Sequence, residues 1–194
     1  MANPHTTLNH RPSAPVAASP WLERYGHLLQ PGSRVLDVAC GSGRHMKWLH
    51  ERGLQALGVD RDAQAVAALK GEGLECLVAD LEQEPWPFAP QSMDAVLVTH
   101  YLWRPLWSDL KAVLKPHGWL IFETFSSGQE ALGRPKNPDF LLRPGELLEV
   151  FADFHIIAFE EGLEPHPPRV LQRLVAQKPI SFTQRPATPL RSLE

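Results

Sequence analysis

The sequence has little of several features that would place it in a well-defined class of protein. It contains two cysteines, Cys40 and Cys76, and neither has a second cysteine at CxxC spacing. A disulfide framework and a metal site are therefore not predicted. The sequence has no apolar run long enough to cross a bilayer, and its amino end lacks both the apolar core of a secretory signal and a basic amphipathic pattern. We expect a cytoplasmic protein that has no membrane partner.

An excess of charge of one sign is also missing. The formal net charge is −3 and no cluster of lysines or arginines stands out, which argues against a nucleic-acid polymer as the main partner. With 43% hydrophobic and 21% charged residues, the composition is typical of a globular protein. A chain of 194 residues is long enough for one domain with a sizeable core. These features leave the oligomeric state open.

Stretches rich in proline and small residues lie at both ends of the chain. Residues 1–20 are rich in Pro, Ala, Ser and Thr and have no hydrophobic period, and residues 179–194 contain Pro179, Pro186 and Pro189. Such composition is typical of flexible tails. We therefore predict an N-terminal tail over 1–20, one folded domain over 21–178 and a C-terminal tail over 179–194.

Helix-like and strand-like segments alternate through the predicted domain. The predicted helices are WLERYGHLLQ, RHMKWLHERG, DAQAVAALKGEG, SDLKAVLKPHG and RPGELLEVF, and the predicted strands are SRVLDVA, LQALGVD, LECLVADL, SMDAVLVTHYL, WLIFETF, FHIIAFEE and PRVLQRLVAQ. Alternation at this spacing predicts βαβ units and a mainly parallel sheet. The last two strands have no helix between them, which predicts an antiparallel edge hairpin. The predicted fold class is α/β: a Rossmann-like, doubly wound sheet of seven strands with helices on both faces.

The stretch VLDVACGSGRHMKWL, residues 35–49, joins a strand, a glycine-containing loop and a helix. Ligands of doubly wound sheets bind outside the carboxyl ends of the strands, where this loop is expected. Gly41 and Gly43 let the backbone approach a ligand closely. A dinucleotide fingerprint would have a small residue at position 46, where this chain has Met46, and the Gly-Lys-Ser/Thr of a P-loop is absent. Both departures count against a pyrophosphate ligand.

Acidic residues mark the ends of the first three predicted strands. Asp37 is near the end of the first, and Asp60 closes the second, 19 positions after Gly41. That distance is close to the roughly 20 residues at which an acid meets ribose hydroxyls. Asp80 closes the third strand. Because carboxylates accept hydrogen bonds, this set suits a ligand with amino and hydroxyl donors and suits a polyanion poorly.

This combination resembles the class I S-adenosylmethionine-dependent methyltransferases over roughly residues 20–177. Asp37 and ACGSG match the family's first motif, which wraps the methionine part of the cofactor. Asp60 matches the acid that holds the ribose, and Asp80 with Leu81 matches the position that contacts adenine. The strand SMDAVLVTH and the turn in LKPHGWLIFETF match later motifs, with His117 where glycine is common. Within the class, the chain is most similar to small bacterial type 11/12 and TehB-like tellurite-resistance enzymes.

The resemblance implies that the chain binds S-adenosylmethionine and transfers its methyl group to a small-molecule acceptor by in-line displacement, leaving S-adenosylhomocysteine. The cofactor-binding residues that it implies are Asp37, Ala39, Gly41, Gly43, Arg44, Asp60, Arg61, Asp80, Leu81 and Thr99. The acceptor is expected just past the fourth and fifth strands. His100 and Tyr101 are therefore the candidates for the reaction centre, with His100 either acting as a base near neutral pH or hydrogen-bonding a loop.

Several assignments stay open at this level. Glu123 lies in the apolar run IFETF, and a buried carboxylate needs a partner, such as Arg104 or Arg143, or a function. The long segment between the fifth strand and the next helix either lines the acceptor pocket or covers the sheet. Residues that these alternatives involve are Asn137, Phe140 and Arg143, with Trp21, Arg24 and Tyr25 of the first helix as candidates near the methionine carboxylate. Alternative functions are a non-catalytic S-adenosylmethionine-binding protein and an NAD(P)-dependent oxidoreductase.

Overall fold

The computed structural model of the chain describes residues 17–180. Most of the two predicted tails, residues 1–16 and 181–194, lies outside the described residues. At the amino end the packed structure begins before the predicted boundary at residue 21. Ala18 and Ser19 are buried, and Ser19 Oγ caps the first helix by accepting a hydrogen bond from the Trp21 N–H. Among residues 17–180, no helix is both long and apolar enough to cross a membrane.

Strands and short helices alternate through the described residues. The helices are α1 Pro20–Tyr25, α2 Arg44–His50, α3 Ala63–Gly71, α4 Trp107–Val113, α5 Gln129–Leu132 and α6 Glu146–Val150. The strands are β1 Arg34–Val38, β2 Gln55–Asp60, β3 Glu75–Val78, β4 Met93–Thr99, β5 Leu114–Phe125, β6 His155–Pro165 and β7 Pro168–Gln177. Short 3-10 turns lie at Gly26–Leu28, Arg104–Leu106 and Pro138–Phe140.

These strands form one sheet in the order β3-β2-β1-β4-β5-β7-β6. Neighbouring strands from β3 across to β5 are parallel, whereas β7 is antiparallel to both β5 and β6. The predicted Rossmann-like sheet with an antiparallel edge hairpin is confirmed. The strand order reverses between β1 and β4, so the carboxyl ends of these strands border the crevice where such sheets bind ligands.

A hydrophobic core lies on each face of the sheet. Alternate residues of β4 show the division: Val96 and Val98 belong to one core, and Ala95 and Leu97 belong to the other, as the pleat of a strand requires. The first core includes side chains of α4 and α6, and the second includes side chains of α1, α2 and α3. The predicted placement of helices on both faces is therefore confirmed.

Several element boundaries differ from the prediction, and three of them have a clear local description. The third strand ends at Val78, because the Asp80 side chain accepts a hydrogen bond from the Glu82 N–H at 3.0 Å and starts a turn. The helix predicted to reach residue 118 ends at Val113. The turn after it falls within β5, where the pairing of β4 with β5 shifts register between residues 93 and 95. The fourth strand ends at Thr99, one residue before a left-handed backbone position.

Candidate cofactor and acceptor site

The loop between β1 and α2 is a tight turn with left-handed backbone at three positions. The φ angles of Ala39, Gly41 and Gly43 are +55°, +53° and +72°. A Cβ at Gly43 would lie 2.3 Å from Leu69 Cδ2 of α3, whereas a Cβ at Gly41 would have no other atom within 4 Å. Glycine at position 43 therefore allows α2 and α3 to pack closely, and glycine at position 41 leaves open space beside the loop.

Asp37 is a buried carboxylate with one unsatisfied oxygen. Its side chain is 1% exposed, and Oδ2 has no hydrogen-bond partner among the described residues. Burial raises the pKa of the Asp37 carboxyl, and His45, whose Nδ1 lies 3.7 Å from Oδ2, opposes that rise. A buried, unpartnered carboxylate oxygen is costly. A ligand that brings an amino group would supply the missing donor, so Asp37 fits the methionine ammonium of S-adenosylmethionine.

Asp60 holds the glycine loop against the end of β2. Its Oδ2 accepts the Gly41 N–H at 2.8 Å, and its Oδ1 accepts the Asp62 N–H at 2.9 Å. Each carboxylate oxygen can accept a further hydrogen bond, so the side chain keeps capacity for a ligand diol. Sequence spacing placed Asp60 near the loop, and the geometry adds a direct hydrogen bond between the two.

A cavity of about 150 Å³ lies at the ends of β1, β2 and β3. Its lining includes six residues predicted for the site together with Glu82 and two apolar residues: Ala39, Val59, Asp60, Arg61, Ala79, Asp80, Leu81, Glu82 and Tyr101. The fold therefore brings the predicted ribose and adenine positions together in one cavity.

Arg44 and Thr99 lie apart from that cavity lining. Arg44 begins α2, where burial lowers the pKa of its guanidinium, and its NH1 donates to the Ala17 carbonyl at 3.2 Å. Thr99 is buried at the end of β4, and its Oγ1 has no hydrogen-bond partner among residues 17–180. Both residues keep hydrogen-bonding capacity at the carboxyl ends of the central strands.

A second cavity of about 260 Å³ adjoins the first and shares Glu82 and Tyr101 with it. Its lining is mainly apolar and aromatic: Glu82, His100, Tyr101, Leu102, Thr124, Phe125, Pro135 and Phe140. Of the loop residues considered from the sequence, Phe140 lines this cavity. Asn137 instead accepts the Asp139 N–H, and Arg143 pairs with Glu149. Both candidates for the reaction centre, His100 and Tyr101, line it.

His100 is partly buried and electrically neutral at pH 7. Its φ is +55°, and its backbone N–H donates to the Glu123 carbonyl at 2.8 Å. The imidazole stacks on Phe125 with ring centroids 4.8 Å apart. Burial lowers the pKa of His100 to about 4, and the carboxylate of Glu123 opposes this effect. Tyr101 also stays protonated, because burial and nearby acidic residues raise the pKa of its phenol.

Glu123 pairs with Arg173 of β7, so both partners suggested by the sequence were wrong. Arg173 Nε lies 2.5 Å from Glu123 Oε2, and Ser19 Oγ donates to Oε1 at 2.9 Å. Glu123 and Arg173 stand directly opposite each other in the β5–β7 register. Arg104 instead makes a two-pronged contact with Glu146 at 2.7 and 2.9 Å, which makes it a structural residue.

Helix α1 contributes to the site through the residues just before it. Trp21 is buried and its Nε1 donates to the Leu174 carbonyl, while Arg24 pairs with Glu160 at 2.7 Å. These contacts fasten α1 to β6 and β7. Two residues before α1 contact residues of the site. The Ala17 carbonyl accepts a hydrogen bond from Arg44, and Ser19 Oγ donates one to Glu123.

Comparison with known proteins agrees with this geometry. The family described as a methyltransferase domain matches residues 36–122. A ubiquinone biosynthesis O-methyltransferase of Burkholderia ambifaria is 25% identical over 174 residues, covering 76% of this chain and 74% of that protein. A thiopurine S-methyltransferase of Nitrosospira multiformis is 46% identical over 52 residues, covering 26% of this chain and 24% of that protein.

Solved structures share the fold at low sequence identity. A SAM-dependent methyltransferase of Methanosarcina mazei has a TM-score of 0.66 at 18% identity, covering 86% of this chain and all of that one. TehB of Haemophilus influenzae has a TM-score of 0.65 at 18% identity, covering 81% of this chain and 61% of that one. Residues 36–122 thus match a methyltransferase domain, and the chain as a whole has the fold of S-adenosylmethionine-dependent methyltransferases. The predicted enzyme class and cofactor are confirmed, which sets aside the oxidoreductase alternative.

Proposed function

We propose that the enzyme transfers the methyl group of S-adenosylmethionine to a small-molecule acceptor that enters the cavity beside His100, Tyr101 and Phe140. The observation that carries this proposal is the meeting of two cavities at Tyr101. One has acidic strand ends suited to amino and hydroxyl donors, and the other is largely aromatic. The second cavity, at about 260 Å³, lies near the lower end of the roughly 300–1,000 Å³ that is typical of small-molecule sites.

The nucleoside half of the cofactor is assigned to the first cavity. Asp60 accepts the ribose hydroxyls through the lone pairs that its two backbone hydrogen bonds leave free. Asp80 and Leu81 contact the adenine, with Arg61 alongside. This assignment is supported by the shared cavity and by the position of all these residues at the ends of β2 and β3.

The methionine half is assigned to the glycine loop. Ala39, Gly41 and Gly43 bring the backbone close to it, and Asp37 supplies the buried oxygen for its ammonium group. Two further residues are assigned to the methionine half: Arg44 would bind its carboxylate, and Thr99 lies nearby at the end of β4. When bound, the cofactor supplies a methyl group on a positively charged sulfur, which departs as a neutral thioether. The protein therefore needs to position the acceptor in line and to exclude water.

The acceptor cavity is supported by its lining and by the relatives. Phe125 and Phe140 offer flat apolar surfaces, and Thr124, His100 and Tyr101 offer polar groups among them. Two relatives are named for methyl transfer in ubiquinone biosynthesis and to thiopurines. A small acceptor is therefore the substrate class that accords best with the site.

Calorimetric titration with S-adenosylhomocysteine and with NAD tests the cofactor assignment. We expect the first to bind and the second not to bind. Asp60→Asn should weaken the binding of S-adenosylhomocysteine about 10- to 100-fold, because it removes charge-assisted hydrogen bonds worth about 1.5–3 kcal/mol. Asp62→Asn is the matched control: Asp62 caps α3 through the N–H groups of Gln64 and Ala65, and asparagine caps equally well.

Either of two outcomes would count against the assignment. NAD binding without S-adenosylhomocysteine binding would overturn the proposed function. Unchanged affinity in a folded Asp60→Asn variant would remove Asp60 from the ribose site.

A further inference from the structure

His100 faces a buried carboxylate across the site. Glu123 Oε1 lies 3.8 Å from His100 Nε2, and the Glu123 side chain is 3% exposed. This contact joins the end of β4 to β5, and the hydrogen bond from the His100 N–H to the Glu123 carbonyl also links the two residues. Glu123 is thus the anionic group placed next to the imidazole.

The two ring nitrogens of His100 have different surroundings. Nε2, on the Glu123 side, is buried and makes no hydrogen bond within residues 17–180. The side chain as a whole is 27% exposed and lines the acceptor cavity. Nδ1 is therefore the nitrogen that remains for a molecule in that cavity.

Glu123 is held in place from two other directions. Ser19 Oγ donates to Oε1 at 2.9 Å, and Arg173 Nε donates to Oε2 at 2.5 Å. Arg173 is itself held by Glu164, 2.9 Å from its NH2, and Glu164 also pairs with Arg169. The carboxylate is anchored by groups from the amino end and from β7, so it cannot turn away from the imidazole without breaking these contacts.

We propose that Glu123 is a positioning residue, whose negative charge favours the His100 tautomer with a proton on Nε2 and so leaves Nδ1 as a bare acceptor facing the substrate cavity. This inference rests on the proposed function. It narrows the substrate to acceptors whose nucleophilic oxygen or sulfur carries a proton.

The proton and the charge balance in this step. His100 Nδ1 takes the proton of the acceptor's O–H or S–H as that oxygen or sulfur bonds to the methyl carbon. The electron pair of the broken carbon–sulfur bond stays with the departing thioether. One positive charge is thereby transferred from the sulfonium to the imidazole, and the carboxylate of Glu123 stabilises it there.

Charged groups on several elements act on the imidazole. Burial has the largest effect on the pKa of His100 and lowers it, whereas Glu123 of β5 raises it. Three further groups lower this pKa: Arg44 and His45 of α2, and Arg169 of β7. The balance keeps the ring neutral at pH 7. A neutral ring is the form in which Nδ1 can receive a proton.

Nitrogen NMR on protein labelled with ¹⁵N-histidine tests the inference without an acceptor. The chain has nine histidines, and comparison with His100→Asn assigns the signals of His100. At pH 7 we expect the neutral Nε2–H tautomer to dominate. Glu123→Gln should shift the population toward Nδ1–H and lower the pKa of His100. Glu160→Gln is the matched control, because Glu160 lies 3.7 Å from Arg173 on the more exposed side of the pair.

A dominant Nδ1–H tautomer in the wild type would overturn the inference, and this result stands even where Glu123→Gln fails to fold. An unchanged tautomer ratio in a folded Glu123→Gln variant would also overturn it. Calorimetry with S-adenosylhomocysteine on the same samples separates the two proposals. Binding combined with the wrong tautomer refutes only the role of Glu123, whereas absence of binding refutes the proposed function.

Discussion

Substituting alanine at Gly41 and at Gly43 should separate the loop's role in binding from its role in folding. Both positions are left-handed, at +53° and +72°, and alanine there costs about 1–2 kcal/mol of stability. At Gly43 the new methyl group would also lie 2.3 Å from Leu69 Cδ2. Leu69 is 1% exposed and has little room to move, so overpacking adds about 1–3 kcal/mol. We expect Gly43→Ala to lose about 2–5 kcal/mol and Gly41→Ala about 1–2 kcal/mol.

Urea denaturation gives the two free energies of unfolding, and calorimetry with S-adenosylhomocysteine gives the affinities. The methyl group of Gly41→Ala would occupy the open space beside the loop, where the methionine half of the cofactor is proposed to lie. We therefore expect this variant to fold and to lose affinity at least tenfold, or about 1.4 kcal/mol.

Two results would refute this reasoning. Equal losses of stability in both variants would mean that α3 adjusts freely to a side chain at position 43. Wild-type affinity in Gly41→Ala would mean that the loop does not enclose the ligand.

The remaining predictions concern the pH dependence of stability and a structural ion pair. Because burial lowers the pKa of His100 to about 4, the unfolded chain binds a proton at higher pH than the folded one, so stability is retained above about pH 6.5 and falls as the pH approaches 4. When the pH is lowered from 7 to 5, the free energy of unfolding measured with urea should fall by about 2 kcal/mol more in the wild type than in His100→Asn. Equal decreases in the two proteins would contradict this prediction. Arg104→Met should cost about 3 kcal/mol, because it removes the two-pronged partner of the buried Glu146 carboxylate and leaves it the more exposed Arg143, whose Nε lies 3.6 Å away. Calorimetry should show unchanged affinity for S-adenosylhomocysteine. Lost affinity with intact stability would instead place Arg104 at the ligand.

Local sequence signals were enough to predict the fold and the shared position of Asp60 and Asp80 at one edge of the sheet. Strand, turn and helix patterns are local, and the distance along the chain from Gly41 to Asp60 is fixed once one helix and one strand follow the glycine loop. The carboxyl ends of parallel strands share one edge of the sheet. Asp60 and Asp80 therefore meet in one cavity without further information.

The acceptor side depends on contacts that no local pattern encodes. Glu123 and Arg173 are 50 residues apart in the chain, and only the register of two antiparallel strands brings them together. Sequence reasoning considered arginines that are nearer in the chain and missed this one. His45 was missed as well, because its position 3.7 Å from Asp37 depends on how α2 packs on β1. The Ser19 contact was missed because composition assigned that residue to a tail.

The position of β7 has a consequence for how the chain acquires its structure during synthesis. β7 follows β6 in the chain but lies between β5 and β6 in the sheet. Because synthesis proceeds from the amino end, one edge of β5 stays unpaired until β7 emerges, and unpaired strand edges favour association with other chains. The same strand brings Arg173, so Glu123 remains without its counter-ion until then. A nascent chain that stalls before Pro168 would carry the whole glycine loop and Asp60, yet it would lack the arginine that holds Glu123.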